Sequence, residues 1–231
     1  MTIVIPTKCR PSLDTAIKSL LQQTNDRWLA VVLLNGDHCN EPEYYRQAYS
    51  SDLQPGRLHF KLITESTVAN NCAGELRNLA LSDVRTSWVG FLDDDDTLAP
   101  QYVDILIKER KVTPHAKLIS FRMYHVTSQH YIPPADILKV TRGWIGISFA
   151  YALTHTADDK FIPGTTEDFD FIYNFCLRGG RECILSDKVT YFVKGLPGAE
   201  QQSIGVRSSM EFAELNYETV INADRELCHQ A

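Results

Sequence analysis

Residues 88–100 read W-V-G-F-L-D-D-D-D-T-L-A-P, an apolar segment followed at once by four consecutive aspartates. The apolar part, Trp88–Leu92, is short and continuous, which predicts a buried β-strand. Four adjacent carboxylates repel one another at neutral pH unless a cation neutralises them. Asp93–Asp96 therefore indicate either a solvated acidic surface or a site for a hard cation such as Mg²⁺ or Mn²⁺.

Strand and helix patterns alternate upstream of this segment. Apolar residues at helical spacing predict helices over 13–21 and 73–80, and a further helix is expected at Glu41–Ala48. The strands predicted between them are Thr2–Pro6, Trp28–Leu34 and Leu58–Ile63. This alternation is typical of an α/β protein with a largely parallel sheet covered on both faces.

Polar segments follow three of the predicted strands. They are Thr7–Arg10, Asn35–Asp37 and Asp93–Asp96. Ligands of open parallel sheets bind beyond the carboxyl ends of the strands. We therefore expect the three segments to meet in one crevice.

The second half of the chain continues the alternation less regularly. A helix is predicted from Pro100 to about Lys111, and a strand over Lys117–Val126. Thr165 or Thr166 is expected to cap a helix that ends at Gly179-Gly180. The glycine-rich stretch 195–205 predicts a loop, and the acidic stretch 208–228 predicts a helix that packs on the domain or on a partner chain, a second copy included.

Composition excludes some partners and suggests a compartment. The formal net charge of −6 argues against nucleic acid or an anionic membrane surface as the main partner. The longest wholly apolar run, Trp28–Leu34, is far shorter than the ~20 residues that span a bilayer. No signal peptide pattern opens the chain, and the six cysteines never form C-x-x-C. These features predict free thiols and a cytoplasmic protein.

Two enzyme classes place acidic residues directly after a strand in this way. Asp93–Leu98 matches the D-x-D-x-T-L signature of a haloacid-dehalogenase-type phosphatase, except that Asp96 replaces the customary glycine. In that family, however, the motif ends the first strand, whereas here it ends about the fourth. The second class transfers a sugar from a nucleotide-sugar and uses a D-x-D motif on an α/β domain.

Four further segments bear on this choice. They are T-I-V-I-P-T-K-C-R-P-S-L-D-T-A-I-K-S-L-L-Q-Q-T at 2–24, V-V-L-L-N-G-D at 31–37, A-G-E-L-R-N-L-A-L at 73–81 and T-E-D-F-D-F-I-Y-N-F-C-L-R-G-G at 166–180. Together with residues 88–100, in this order and spacing, they resemble a family 2 glycosyltransferase of the GT-A fold. The resemblance implies a single Rossmann-like domain over 1–231. Residues 1–98 would form its nucleotide-sugar half, 99–194 its acceptor half, and 195–231 a loop and C-terminal helix.

The resemblance also implies roles for residues of the nucleotide half. Asp95 would coordinate Mn²⁺ or Mg²⁺ on the diphosphate, and Asn35 would read the base edge, with uracil as the expected base. The other residues expected to contact the nucleotide are Thr7, Lys8, Arg10, Arg77, Asp93 and Asp94. Asp93 and Asp94 among them would hold the ribose, whereas Asp96 would stand behind the site.

The implied reaction is a single displacement with inversion at the anomeric carbon. Asp168 would remove the proton from the acceptor hydroxyl of a glycan, a lipid-linked acceptor or another alcohol, with Glu167 as the second choice for this base. Two acids in a first helical turn can instead simply complement the helix dipole. A further alternative is a domain that binds a nucleotide-sugar or glycan without turnover. Lys8 favours this alternative, since many relatives have an aromatic residue there, and so does Asn35, which replaces a common aspartate.

Three more residues are assigned on residue type alone. Lys194 and Arg207 flank the 195–205 loop, and either could clamp phosphate or be a solvated surface charge. Trp144 is interpreted as a core tryptophan, with an acceptor platform as the alternative.

Overall fold

A computed structural model of the chain describes residues 1–36, 39–50, 56–63, 73–156, 159–162, 166–178, 180–194, 208–209 and 211–212. For the helix predicted over 73–80 the expected cap is Asn70 or Asn71, and both lie outside these ranges. The same holds for Asp37, the Thr165 cap, Gly179, the 195–205 loop and Arg207.

The described part consists of alternating strands and helices. The helices are α1 (Leu13–Leu21), α2 (Pro42–Ala48), α3 (Ala73–Leu81), α4 (Tyr102–Val112) and α5 (Glu167–Tyr173), the last continuing into a π-helical turn at Asn174–Arg178. The strands are β1 (Thr2–Thr7), β2 (Leu29–Leu34), β3 (Leu58–Leu62), β4 (Trp88–Phe91), β5 (Thr97–Leu98), β6 (Leu118–His125), β7 (His130–Ile132), β8 (Lys139–Val140), β9 (Phe149–Ala152), β10 (Cys183–Val193), β11 (Ser208–Ser209) and β12 (Glu211–Phe212).

One large sheet runs through the molecule in the order β11-β10-β6-β9-β4-β1-β2-β3. β1 pairs in parallel with β2 and β4, β2 with β3, and β6 with β10. This confirms the mostly parallel α/β sheet that the strand and helix patterns predict. β9 is antiparallel to both of its neighbours, β4 and β6, and so joins the two parallel groups into one sheet.

The hydrophobic core follows the periodicity of the sequence. All six residues of β1 are buried, as expected for a strand covered on both faces. On α1, the residues Leu13, Ala16, Ile17 and Leu20 are buried, which is the face predicted from their spacing. Burial of these side chains fixes the register of β1, and therefore the position of the loop that follows it.

An aromatic cluster connects the end of β4 to α5. Phe161 and Phe171 stack with ring centroids 4.5 Å apart. Phe91 of β4 meets Phe161 edge to face at 5.1 Å, and Phe149 of β9 stacks on Phe171 at 5.2 Å. Such pairs contribute about 0.5–1.5 kcal/mol each beyond area burial. The cluster therefore holds α5 at a set position relative to the strand that precedes the aspartates.

The prediction of free thiols is wrong for four of the cysteines. Cys9 pairs with Cys39 and Cys176 with Cys183, at Cα–Cα distances of 5.3 and 6.1 Å. The first pair forms because β1 and β2 are parallel neighbours, so the segments that follow them leave the sheet at the same edge. Sequence spacing alone does not reveal this proximity. The localisation inferred from free thiols loses that support.

The C-terminal stretch begins differently from the prediction. Ser208–Ser209 pair with Ile184 and Leu185 of β10, and Glu211–Phe212 pair with β8, so a helix does not start at Ser208. The open edge of β10 offers unpaired backbone groups, and their hydrogen bonds outweigh local helix propensity. Residues 213–231 lie outside the described ranges. Within those ranges, no helix combines the length and apolarity that a membrane crossing requires.

Candidate active site

The three polar segments predicted to converge do meet at the carboxyl edge of the sheet. The Thr7 hydroxyl, at the end of β1, donates to Asp94 Oδ2 at 2.6 Å, just beyond β4. The Asn35 N–H, just beyond β2, donates to the Thr7 carbonyl at 2.8 Å. These two contacts arise because β4, β1 and β2 are adjacent and parallel. The described residues of the three segments therefore meet at one edge of the sheet, as the strand order predicts.

Asp94 is turned towards the protein. Its side chain is buried and accepts hydrogen bonds from the Thr7 hydroxyl and from two nitrogens of Arg10. The Thr7 hydroxyl in turn accepts the Cys9 N–H at 2.8 Å. Asp94 thus ties the segment after β1 to the aspartate run and orients Arg10, whose side chain is half exposed. The role predicted for Asp94 on the ribose remains a prediction.

Asp93 and Asp95 are the two members of the run that face outward. Their side chains are 34% and 33% exposed. Asp95 Oδ2 lies 3.5 Å from Arg10 Nη1, and Asp93 Oδ1 lies 2.5 Å from Arg77 Nη2. Both carboxylates therefore have surface left for a ligand.

Asp96 joins the run to the end of β10. Its Oδ1 accepts the Lys194 N–H at 2.8 Å, and its side chain also bonds Tyr191. Burial raises the pKa of Asp96 to about 7, against the lowering effect of the Lys194 N–H. These contacts are with the protein, and the position predicted for Asp96 behind the site remains a prediction.

Arg77 lies among carboxylates from the aspartate run and from α5. Its side chain is only 2% exposed, and its guanidinium lies 2.5 Å from Asp93, 2.8 Å from Glu167 and 3.5 Å from Asp168. Burial disfavours its charge, but these three carboxylates raise its pKa overall. Arg77 therefore links the aspartate run to α5. Sequence reasoning expected a nucleotide contact here and missed this linking role, for which an arginine in a helix gives no local signal.

Both carboxylate oxygens of Glu167 accept hydrogen bonds. Oε1 accepts from Arg77, and Oε2 accepts the Gly74 N–H at 3.1 Å. A Cβ at position 74 would lie 2.5 Å from Glu167 Oε2 and 2.8 Å from Phe161 Cβ, so the first turn of α3 requires glycine for this approach. Glu167 thus fixes α3 against α5.

Asp168 differs from Glu167 in its contacts. Its side chain is 25% exposed, and its described ion pair is the 3.5 Å contact from Oδ1 to Arg77. Burial raises the pKa of Asp168 to about 7; Arg77 opposes this rise, while Asp93 and Glu167 add to it. A partly exposed carboxylate that accepts a proton near neutral pH is suited to general base catalysis.

The carboxylates suit a divalent cation that shares its ligands with phosphate. Over the described ranges, no group of three or more His, Cys, Asp or Glu side chains is arranged to hold a metal ion. Mg²⁺ is usually bound by one or two carboxylates together with substrate phosphates rather than by a complete protein cage. Asp95, partly exposed, fits that mode.

Trp144 is exposed, so its interpretation as a core residue is wrong. Its side chain is 39% exposed on a turn in which the Trp144 N–H bonds the Thr141 carbonyl. Arg142 Nη2 donates to the Thr166 hydroxyl at 2.6 Å, immediately before α5. This bond holds the turn beside the helix that carries Asp168. An indole is large and amphipathic, so composition alone does not decide between core and surface.

Comparisons with known proteins bear on this site. The family model described as glycosyl transferase family 2 matches residues 2–169. Residues 1–349 of S. aureus TarS, solved in complex with UDP-GlcNAc, share 18% identity at a TM-score of 0.66, over 88% of this chain and 60% of that one. The mannosyltransferase PcManGT from Pyrobaculum calidifontis, solved with GDP-Man and Mn²⁺, shares 13% identity at a TM-score of 0.56, over 97% of this chain and 60% of that one.

The two solved chains are longer than this chain and distant from it in sequence. At such identities the likeness concerns the fold, and this chain spans 60% of the two solved chains. No curated protein sequence matches the chain significantly. The family match covers the aspartate run, Arg77 and Asp168 together.

Proposed function

The chain belongs to glycosyl transferase family 2 and has the GT-A fold, and from this we propose that it transfers a sugar from a nucleotide-diphosphate sugar to an acceptor hydroxyl group. The observation that carries the proposal is the cluster of carboxylates from the end of β4 and from α5 around the buried Arg77. TarS was solved in complex with UDP-GlcNAc and PcManGT with GDP-Man, which supports a nucleotide-sugar donor.

The donor is proposed to lie across the ends of β1, β2 and β4. Lys8 and Arg10 are exposed and bring positive charge to this edge for the diphosphate. Asn35 offers both a donor and an acceptor, which suits the edge of uracil, so UDP is the proposed carrier. Asp93 would accept hydrogen bonds from the ribose, and the buried Asp94 would act through Thr7 and Arg10.

Asp95 is proposed to hold Mn²⁺ or Mg²⁺ together with the diphosphate oxygens. When bound, such a cation offsets the negative charge that grows on the departing nucleoside diphosphate. PcManGT was solved with Mn²⁺, which supports the use of a divalent metal. Arg10, 3.5 Å from Asp95, adds a fixed positive charge at the same edge.

Asp168 is proposed as the general base. It takes the proton from the acceptor hydroxyl as that oxygen forms a bond to the anomeric carbon and the bond to the diphosphate breaks. Attack from the face opposite the leaving group inverts the anomeric centre. Glu167 is less suited to this role because Arg77 and the Gly74 N–H already engage its oxygens.

The acceptor is proposed to approach from the side of the Trp144 turn. The exposed indole is held near α5 through the Arg142–Thr166 hydrogen bond. Aromatic faces pack well on the apolar faces of sugar rings. A glycan acceptor is therefore favoured over a small alcohol.

Thermal denaturation tests donor and metal binding together. We expect UDP with Mn²⁺ to raise the Tm by about 5–10 °C at about 100 times its Kd, and the Asp95→Ala variant to lose this shift because the metal loses its protein ligand. A panel of UDP-, GDP- and dTDP-sugars then identifies the base. Asp83→Ala is the matched control, since Asp83 is an exposed carboxylate paired with Lys61. An equal shift in Asp95→Ala would refute the metal role.

The pH profile tests the general base. Since burial raises the pKa of Asp168 to about 7, kcat/KM should rise about tenfold per pH unit below that value and level off above it. The contribution of Asp168 to the free energy of unfolding changes with pH in the opposite direction. The native carboxyl binds its proton more tightly than the unfolded one, with its ordinary pKa of 3.8, so Asp168 lowers the free energy of unfolding as pH rises from about 4 to 7. A kcat/KM that does not change across pH 7 would contradict the assignment.

A further inference from the structure

A cavity of about 540 Å³ lies at the amino-terminal edge of the sheet. Its walls come from Met1, Arg27, the start of β4, one side of α4, the segment between α4 and β6, and the end of the antiparallel β9. β4 runs from this cavity towards the aspartates, so the cavity and the proposed active site lie at opposite ends of the same strand. The proposed glycosyl transfer makes no use of it.

The floor of this cavity is apolar. The partly exposed Met1, Ile107 and Ala152 give it accessible apolar surface, and the buried side chains of Trp88 and Leu106 also line it. The volume falls in the range of about 300–1,000 Å³ that is typical of small-molecule pockets. The floor therefore suits the apolar part of a ligand.

The rim of the cavity is cationic. Arg27, Arg110, Lys111 and Lys117 line it, and none of the described lining residues is acidic. This local excess of positive charge contrasts with the formal net charge of −6 for the whole chain. Four cations without a carboxylate among them form a site of positive potential that favours an anion.

Arg110 connects the rim to the floor. Its guanidinium lies over the Trp88 ring, 4.6 Å from the ring centroid, and no ion pair to it is found within the described ranges. Burial lowers the pKa of Arg110. A partly desolvated guanidinium gains most from a charged acceptor, because hydrogen bonds between charged groups are the strong ones. An anionic group bound to Arg110 would leave its attached chain beside the apolar floor.

We infer that this cavity binds a phosphate monoester carried on an apolar chain. The phosphate contacts Arg110 and the neighbouring cations, and the chain covers the apolar floor. Either a free amphiphile or an anionic lipid in a bilayer presents this chemistry. The inference does not depend on the proposed sugar transfer, so each can fail without the other.

Isothermal titration with octyl phosphate, below its micelle concentration, tests the inference. We expect one saturable site, with binding weakened about tenfold in Arg110→Gln because a charged hydrogen bond is lost. Lys117→Gln, at an exposed position on the rim, is a second variant that does not disturb the core and should weaken binding about threefold. Arg46→Gln is the matched control, since Arg46 is an exposed arginine on α2 paired with Glu43.

Further titrations separate the contribution of the phosphate from that of the apolar chain. A vesicle assay then identifies the source of the ligand. Inorganic phosphate and octanol should each bind at least about tenfold more weakly than octyl phosphate, since each lacks one half of the ligand. Cosedimentation with phosphatidic acid vesicles, and not with phosphatidylcholine vesicles, assigns the site to a bilayer lipid. Octyl phosphate binding without cosedimentation assigns it to a free amphiphile. Absence of octyl phosphate binding, equal binding of octanol, or unchanged affinity in both Arg110→Gln and Lys117→Gln would overturn the inference.

Discussion

Asp168→Asn is expected to lower the rate of sugar transfer by about 10³-fold, within the range that general base catalysis contributes. The amide has nearly the shape of the carboxylate but does not accept the proton of the acceptor hydroxyl. Donor affinity should stay within about twofold, because the acceptor side of the site is not proposed to bind the nucleotide. The rate is measured with a saturating UDP-sugar and Mn²⁺, and donor affinity by thermal shift.

Asp170→Asn is the control for Asp168→Asn. Asp170 lies on the same helix, and its carboxylate accepts from the Thr166 hydroxyl at 3.0 Å. Loss of transfer in both variants would indicate damage to α5 rather than loss of a base. Where no acceptor is known, slow donor hydrolysis serves as the readout. Hydrolysis that persists unchanged in Asp168→Asn would rule out this base, whereas no turnover of any donor by the native protein would favour a binding domain without activity.

Arg77→Met is expected to lower the free energy of unfolding by about 3–5 kcal/mol, the cost typical of breaking a buried ion pair. Methionine fills much of the same space, but the charge that holds three carboxylates is lost. Asp93, Glu167 and Asp168 then repel one another across the contact between the aspartate run and α5. Urea denaturation followed by circular dichroism gives the change in the free energy of unfolding.

Two further variants distinguish loss of the ion pairs around Arg77 from the general effect of replacing an arginine. Arg46→Met removes an exposed arginine paired with Glu43, and it should cost only about 0–1 kcal/mol. Arg77→Lys keeps the charge but cannot reach three carboxylates with a planar fork, so an intermediate loss is expected. If Arg77→Met were as stable as Arg46→Met, the linking role of Arg77 would be wrong.

The fold and the location of the site could be predicted because they follow from local patterns. Continuous apolar runs identify buried strands such as β1 and β4, and helices between strands imply parallel pairing. Parallel pairing then brings the segments after Thr7 and Leu92 to one edge without any knowledge of side-chain contacts. Convergence of the polar segments is thus a consequence of topology.

The contacts within the site could not be predicted, because they join residues distant in sequence. Arg77 meets Glu167 across 90 residues, and Asp96 meets Lys194 across 98. The Cys9–Cys39 pair likewise depends on which strands are neighbours. Whether Trp144 is exposed depends on packing in a region without clear periodicity. In each case residue type limits what the side chain does, but only the fold supplies its partner.

The antiparallel strand β9 has a consequence for how substrate preference could change in evolution or by design. β9 pairs with β4 on one side and β6 on the other, so the two halves predicted to bind the donor and the acceptor share one continuous sheet. Opening a hinge between the halves would break this hydrogen-bonded ladder, which makes large rigid-body closure costly. Because the acceptor is proposed to approach the Trp144 turn, we expect that exchanging the segment from β7 to β9, with residues 1–98 unchanged, would be the simpler way to change the acceptor. Chimeras cut at Ile132 and Phe149 would respect these boundaries.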